Sequence, residues 1–70
     1  MHKYHINVFY SKIDDSFIAD VPDLLDCSAL GKTPQEAMQK VMAAMERWLE
    51  TARVDGLEIP EPKYKPAIYR

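Results

Sequence analysis

The chain has 70 residues, 47% of them hydrophobic and 29% charged, with a net charge of −2 and one cysteine. That length allows one domain, 1–70, that composition is not of a disordered chain, and one cysteine excludes an internal disulfide. A core of this size supplies only roughly 3–5 kcal/mol of net stability, so a homo-oligomer, dimer or tetramer, is expected.

Residues 3–11 open the pattern. "YHINVFY" alternates Tyr4, Ile6, Val8 and Tyr10 with His5, Asn7 and Phe9, which predicts a strand rich in β-branched and aromatic residues. "SKIDDS" has turn composition. "FIADV" predicts a second strand over 16–21, stopped by Pro22, and the short link makes the two an antiparallel hairpin. "PDLLD" reads as a second turn and "CSALG" as a third strand over 27–31, ended by Gly31.

The strongest local signal is "TPQE". Thr33 is a helix N-cap, Pro34 suits the first helical position, and Glu36 completes a capping box by reaching back to the Thr33 amide. Met38, Val41, Met42, Met45, Trp48, Leu49 and Ala52 then form one apolar stripe, so a helix is expected over 34–55 across a three-stranded sheet. Gly56 suits the left-handed position after it. Trp48 is expected at the core edge near the tail, where its indole N–H finds an acceptor. Residues 57–70 carry prolines and read as an extended tail, with "AIYR" a candidate short strand or an arm to another subunit.

Charge is unevenly placed. Asp14, Asp15, Asp20, Asp23 and Asp26 fall in 13–26 without a lysine or arginine, and Lys63, Lys65 and Arg70 fall in 63–70 without an acid. An acidic segment repels nucleic acid and attracts basic proteins. "MHKYHINVFY" lacks the apolar run of an export signal, and no segment approaches the ~20 apolar residues of a membrane helix. With a free thiol, this points to the cytoplasm and away from membranes.

Reactive chemistry finds little support. His2 and His5 have no second ligand cluster, so no metal is expected. Cys27 would need a base, and both histidines could reach it only if the first strand paired with the third; a small buried hydrophobe is the better reading. "GKT" at 31–33 copies the end of a phosphate loop, but position 26 is Asp rather than its first glycine. Asp20, Asp23 and Asp26 supply the enzymatic alternative, a metal-dependent nuclease, although Asp23 and Asp26 are also ordinary turn residues.

Taken in order, Val21-Pro22-Asp23-Leu24 before Cys27, Gly31-Lys32-Thr33-Pro34 with Glu36-Ala37, Trp48-Leu49 and Ile59-Pro60-Glu61-Pro62 resemble the HicB-like antitoxin family, over about Tyr4 to Pro62. The chain departs from that family at Leu25-Asp26, where Pro-Gly is common, and at Asp14-Asp15-Ser16, where glycine is frequent. At Leu25-Asp26 the departure calls for Asp in a glycine-like conformation or a changed turn type, and both departures add acid to loops. The resemblance implies an α+β, partial ribonuclease-H-like fold, three antiparallel strands and one helix, with a possible short C-terminal strand. It implies a non-catalytic short form without a DNA-binding domain, masking a small basic HicA-like toxin that cleaves messenger RNA. The expected contacts are Asp14, Asp15, Asp20, Asp23 and Asp26 for the partner, and Phe9, Ile18, Leu30, Tyr64, Ile68 and Tyr69 for oligomerisation. No catalytic group, metal or cofactor is expected, and nucleic acid binding is weak or absent. The alternatives are an orphan oligomeric RNA-binding module and the nuclease.

Overall fold

The computed structural model describes residues 4–65. It contains β1 (Asn7–Ser11), β2 (Ser16–Asp20), β3 (Ser28–Gly31) and α1 (Pro34–Val54). The sheet is antiparallel in the order β1-β2-β3, and one helix packs on it, an α+β fold. Because β2 lies between them, β1 and β3 do not pair.

β1 starts later than the alternation predicts. Its first residue, Asn7, pairs with Asp20, the last of β2. Beyond Asp20 the β1–β2 ladder stops: the Val21 amide donates to the Cys27 carbonyl, on the β3 side, at 2.9 Å, and Pro22 has no N–H to offer. Residues 4–6 lie outside the strand. Tyr4 instead enters the core at 8% exposure. β2 ends at Asp20 and β3 begins at Ser28 for the same reason, since the segment between them closes on itself through Leu24 N–H to Val21 C=O at 3.1 Å and Cys27 N–H to Leu24 C=O at 3.3 Å.

Strand alternation sends Val8, Ala19 and Ala29, and likewise Tyr10, Phe17 and Gly31, to the face beneath the helix. The opposite face carries the row Phe9, Ile18 and Leu30, with Asn7, Asp20 and Ser28 beside it. The covered residues nearest the helix are small, which lets α1 lie close. A Cβ on Gly31 would overlap the backbone of Glu36 and Ala37, with the Ala37 Cα only 2.9 Å away. Gly31 thus ends β3 and also admits the first helical turn.

The cap forms with one change of partner. The Thr33 hydroxyl accepts from the Glu36 amide at 3.1 Å, but the Glu36 carboxylate accepts from the Lys32 amide at 2.5 Å rather than from Thr33. At the other end Gly56 adopts φ 73. Its amide donates to Arg53 C=O at 3.3 Å, and the Leu57 amide to Ala52 C=O at 2.8 Å, the two bonds of a Schellman motif. The helix ends at Val54, with Asp55 as its C-cap.

Ala37, Val41, Met45, Leu49 and Ala52 form the buried stripe. Met42, expected in it, is 52% exposed, and Met38 and Trp48 are half-buried against it. Spacing of three or four admits either Met42 or Met45, and the packed helix buries Met45. The core is completed by Tyr4, Val21, Leu24 and Cys27.

Candidate partner-binding surface

The five aspartates expected to contact a partner do not form one edge. Asp14 and Asp15 sit at the tip of the β1–β2 hairpin. Asp20, Asp23 and Asp26 lie at or beyond the far end of β2. Those five residues of β2 span roughly 17 Å at 3.3–3.4 Å per residue, so two acidic groups stand at opposite ends of the sheet.

At the hairpin tip, Asp14 accepts the Ser11 hydroxyl at 2.9 Å, and its own amide donates to that hydroxyl at 3.3 Å. Asp15 adopts φ 48, a left-handed conformation, and accepts the Tyr10 hydroxyl at 2.6 Å. That hydrogen bond to an anion is the main reason the Tyr10 phenol is pushed up from its ordinary value, with desolvation adding to it. Ile13, between Lys12 and these acids, is 96% exposed. Reading "SKIDDS" as a turn did not single it out, because turn composition says nothing about an isolated apolar tip.

At the other end Asp26 adopts φ 58, the first of the two alternatives, glycine-like backbone or changed turn type, that the departure from Pro-Gly leaves open. Leu25 beside it is 77% exposed, whereas Leu24 is only 2% exposed. The Leu25 carbonyl accepts the Trp48 indole N–H at 2.9 Å. Trp48, at the core edge, therefore fixes this loop to the helix. Leu25, Asp26, Arg47, Trp48 and Leu57 line an open, mainly apolar cleft with Cys27 at its floor. Cys27 itself is 4% exposed, and desolvation pushes its thiol up, against thiolate formation.

Asp20 ends β2, half-buried, across from Asn7 and Ser28. Asp23 is engaged elsewhere: its carboxylate accepts from the Lys63 amide at 3.3 Å and the Tyr64 amide at 3.2 Å. Tyr4 donates its hydroxyl to the Pro60 carbonyl, and the Tyr64 ring lies 4.9 Å from that of His5. Burial raises the Tyr4 phenol, and the nearby Asp23 charge raises it further. Asp23 is thus a clamp that holds the tail against the β2–β3 loop. No spacing rule in the sequence links residue 23 to residue 64. Among the described residues no three of His, Cys, Asp and Glu gather closely enough to hold a metal ion, and no helix is long and apolar enough to cross a membrane.

Of the residues expected at a subunit contact, Phe9, Ile18 and Leu30 share one cross-strand row, with Phe9 49% and Leu30 47% exposed. Tyr64 lies in the extended tail, outside any strand. Ile68 and Tyr69, and most of the proposed short C-terminal strand, lie outside the described residues.

A UPF0150 protein of Synechocystis sp. is 34% identical to this chain over 53 residues, covering 76% of the chain and 73% of that relative. The chain belongs to the UPF0150 family. No family model matches the UPF0150 chain, and no solved structure matches it.

Proposed function

We propose that this UPF0150 protein is an antitoxin-like masking protein whose loops hold a small, basic, RNA-cleaving partner of the HicA-like kind. Two lines support the reading: the ordered resemblance to HicB-like antitoxins and the composition of the two loops. The loops carry it. Each presents a bare apolar side chain next to exposed carboxylates, Ile13 with Asp14 and Asp15, and Leu25 with Asp26. An apolar anchor inside a charged rim is the usual make-up of a protein-binding patch, and the carboxylates steer a basic partner while repelling nucleic acid. Asp23, held by the tail, positions the second loop instead of contacting the partner.

The test is co-purification with the product of an adjacent HicA-like gene. A complex at low salt that weakens as salt rises supports the proposal; no complex at low salt overturns it. Replacing Asp14, Asp15 and Asp26 together by Asn removes three charges while keeping a residue that tolerates positive φ. The folded triple variant is expected to associate at least about tenfold more slowly at low salt.

A further inference from the structure

We infer that residues 57–65 of the tail and residues 22–26 of the β2–β3 loop form one latch, closed on Asp23, which holds Asp26 left-handed and so sets the shape of the Leu25–Asp26 patch. The latch rests on contacts within the chain. Only its bearing on a partner rests on the masking role.

The tail segment is a strap. Residues 57–65 form no helix or strand. The strap meets the loop twice. Leu57 lines the cleft with Leu25 and Asp26, and further on the Lys63 and Tyr64 amides donate to the Asp23 carboxylate. Between these points the Pro60 carbonyl accepts the Tyr4 hydroxyl. Pro60 and Pro62 fix φ at about −65°, so the strap loses little freedom when it closes. Yet Leu57 is 59% and Tyr64 40% exposed, and the hydrogen bonds to Asp23 lie at the surface. Few buried apolar contacts and exposed hydrogen bonds mark a segment that opens without the rest of the fold.

The loop is built to respond. Buried Leu24 and Cys27 anchor it in the core. The Trp48 indole holds the Leu25 carbonyl, and the strap holds Asp23. Asp26, with φ 58, has a conformation that is costly for a residue with a Cβ. Its side chain makes no hydrogen bond among the described residues to offset that cost. A residue in such a state persists where its surroundings over-determine it. Among the described residues, Asp23 supplies the hydrogen bonds between loop and strap. Releasing Asp23 therefore removes one of the constraints that keep Asp26 from returning to negative φ. That return rotates the peptide between Leu25 and Asp26, and the oxygen of this peptide is the acceptor of the Trp48 indole. Opening at Asp23 and loosening at Trp48 are thus linked through one strained peptide. Such coupling is reciprocal: whatever frees the strap loosens the loop, and the reverse. For a partner gripped at Leu25 and Asp26, the closed latch removes the cost of ordering that patch.

Hydrogen exchange of the full chain, followed by NMR, tests the latch from both sides. Tyr64→Pro removes a donor amide from the strap and alters nothing in the loop. It is expected to speed exchange at the Trp48 indole and the Cys27 amide at least about fivefold, with the helix amides of Val41 and Met45 within about twofold of the parent. Asp23→Ala should do the same from the loop side. Trp48→Phe removes the other hold on the loop and should speed the Lys63 and Tyr64 amides, although it touches neither. Asp26→Gly removes the strain, so adding Tyr64→Pro to that chain should leave the Trp48 indole near its starting rate. Four results overturn the proposal: a Trp48 indole and Cys27 amide indifferent to Tyr64→Pro and Asp23→Ala, Lys63 and Tyr64 amides indifferent to Trp48→Phe, an equal rise at Val41 and Met45, or an Asp26→Gly chain that responds as the parent does. Failure to find a basic partner overturns the masking role and leaves these rates to decide the latch.

Discussion

The two faces of the sheet place their large residues differently. Beneath the helix, Ala19, Ala29 and Gly31 give α1 room to come close, Val8, Tyr10 and Phe17 stand beside them, and the remaining volume is filled from α1 and the loops by Val41, Met45, Leu24 and Val21. On the bare face the same three strands carry Phe9, Ile18 and Leu30. A monomer would gain more by burying large residues than small ones. The covered face is shaped by how close the helix must come. The bare face is not shaped by the needs of one chain's core, and its large side chains gain only when something covers them.

The largest expected effect separates two adjacent leucines. Leu24 points into the core at 2% exposure and Leu25 points out at 77%. Leu24→Ala should cost about 2–5 kcal/mol, comparable to the whole stability of a domain this small, and Leu25→Ala within about 0.5 kcal/mol. Urea unfolding of both variants measures the difference. Equal losses would mean that the loop does not hook the core through Leu24.

Next comes a second adjacent pair, one residue on each face. Gly31→Ala must push the first helical turn away from β3, since Glu36 and Ala37 backbone atoms fill the space; a loss of about 1–3 kcal/mol is expected. Leu30→Ala, on the bare face, should leave the unfolding of the isolated chain within about 1 kcal/mol of the parent. It should instead weaken whatever contact covers that face. Thermal melts run at several protein concentrations separate the two effects, because a contact between copies makes the melting temperature depend on concentration.

Much of this contrast is legible in the residues alone. Period-two alternation placed Phe9, Ile18 and Leu30 together, and Thr33, Pro34, Glu36 and Gly56 marked both helix ends. At Asp26 the resemblance to HicB-like antitoxins left two choices, a glycine-like backbone or a changed turn type, and the backbone takes the first. What the residues hid lies in loops, where no period sorts inward from outward. Leu24 and Leu25 are alike in composition and opposite in burial. The acidic run from 14 to 26 looks continuous along the chain, yet folding β2 between its parts sends the acids to opposite ends. Asp23 and Tyr64 meet because the tail doubles back, a contact set by the whole fold.

Smaller effects are expected at the two aspartates with positive φ. Asp26→Gly relieves a left-handed residue whose side chain makes no hydrogen bond among the described residues, and should be stabilising by up to about 1 kcal/mol. Asp26→Ala puts a residue less tolerant of positive φ on the same backbone, and should cost about 1 kcal/mol. Asp15→Gly relieves the same strain but removes the acceptor of the Tyr10 hydroxyl, so its net change should be smaller than that of Asp26→Gly. Chemical unfolding of the three variants ranks them. A gain at Asp15 equal to that at Asp26 would show that the Tyr10 bond contributes nothing.

The least effect is one of pH, on the covered side. Burial pushes the Cys27 thiol up, so the folded chain keeps its proton at a pH where the unfolded chain has begun to lose it. Above the unfolded thiol value of about 8.5, the unfolded state binds fewer protons than the native one, and stability falls as pH rises. Cys27→Ser removes the titrating thiol but leaves a buried hydroxyl, so it should be less stable at neutral pH and its stability should decline less between pH 8 and 9.5. Measuring unfolding free energy at both values for parent and variant isolates the slope. Tyr10 and Tyr4, also raised, lose their native advantage only as pH climbs through the phenol range near 10. A slope already present in the lower window and absent from Cys27→Ser therefore belongs to the thiol, and an equal slope in both proteins would place its cause outside the core.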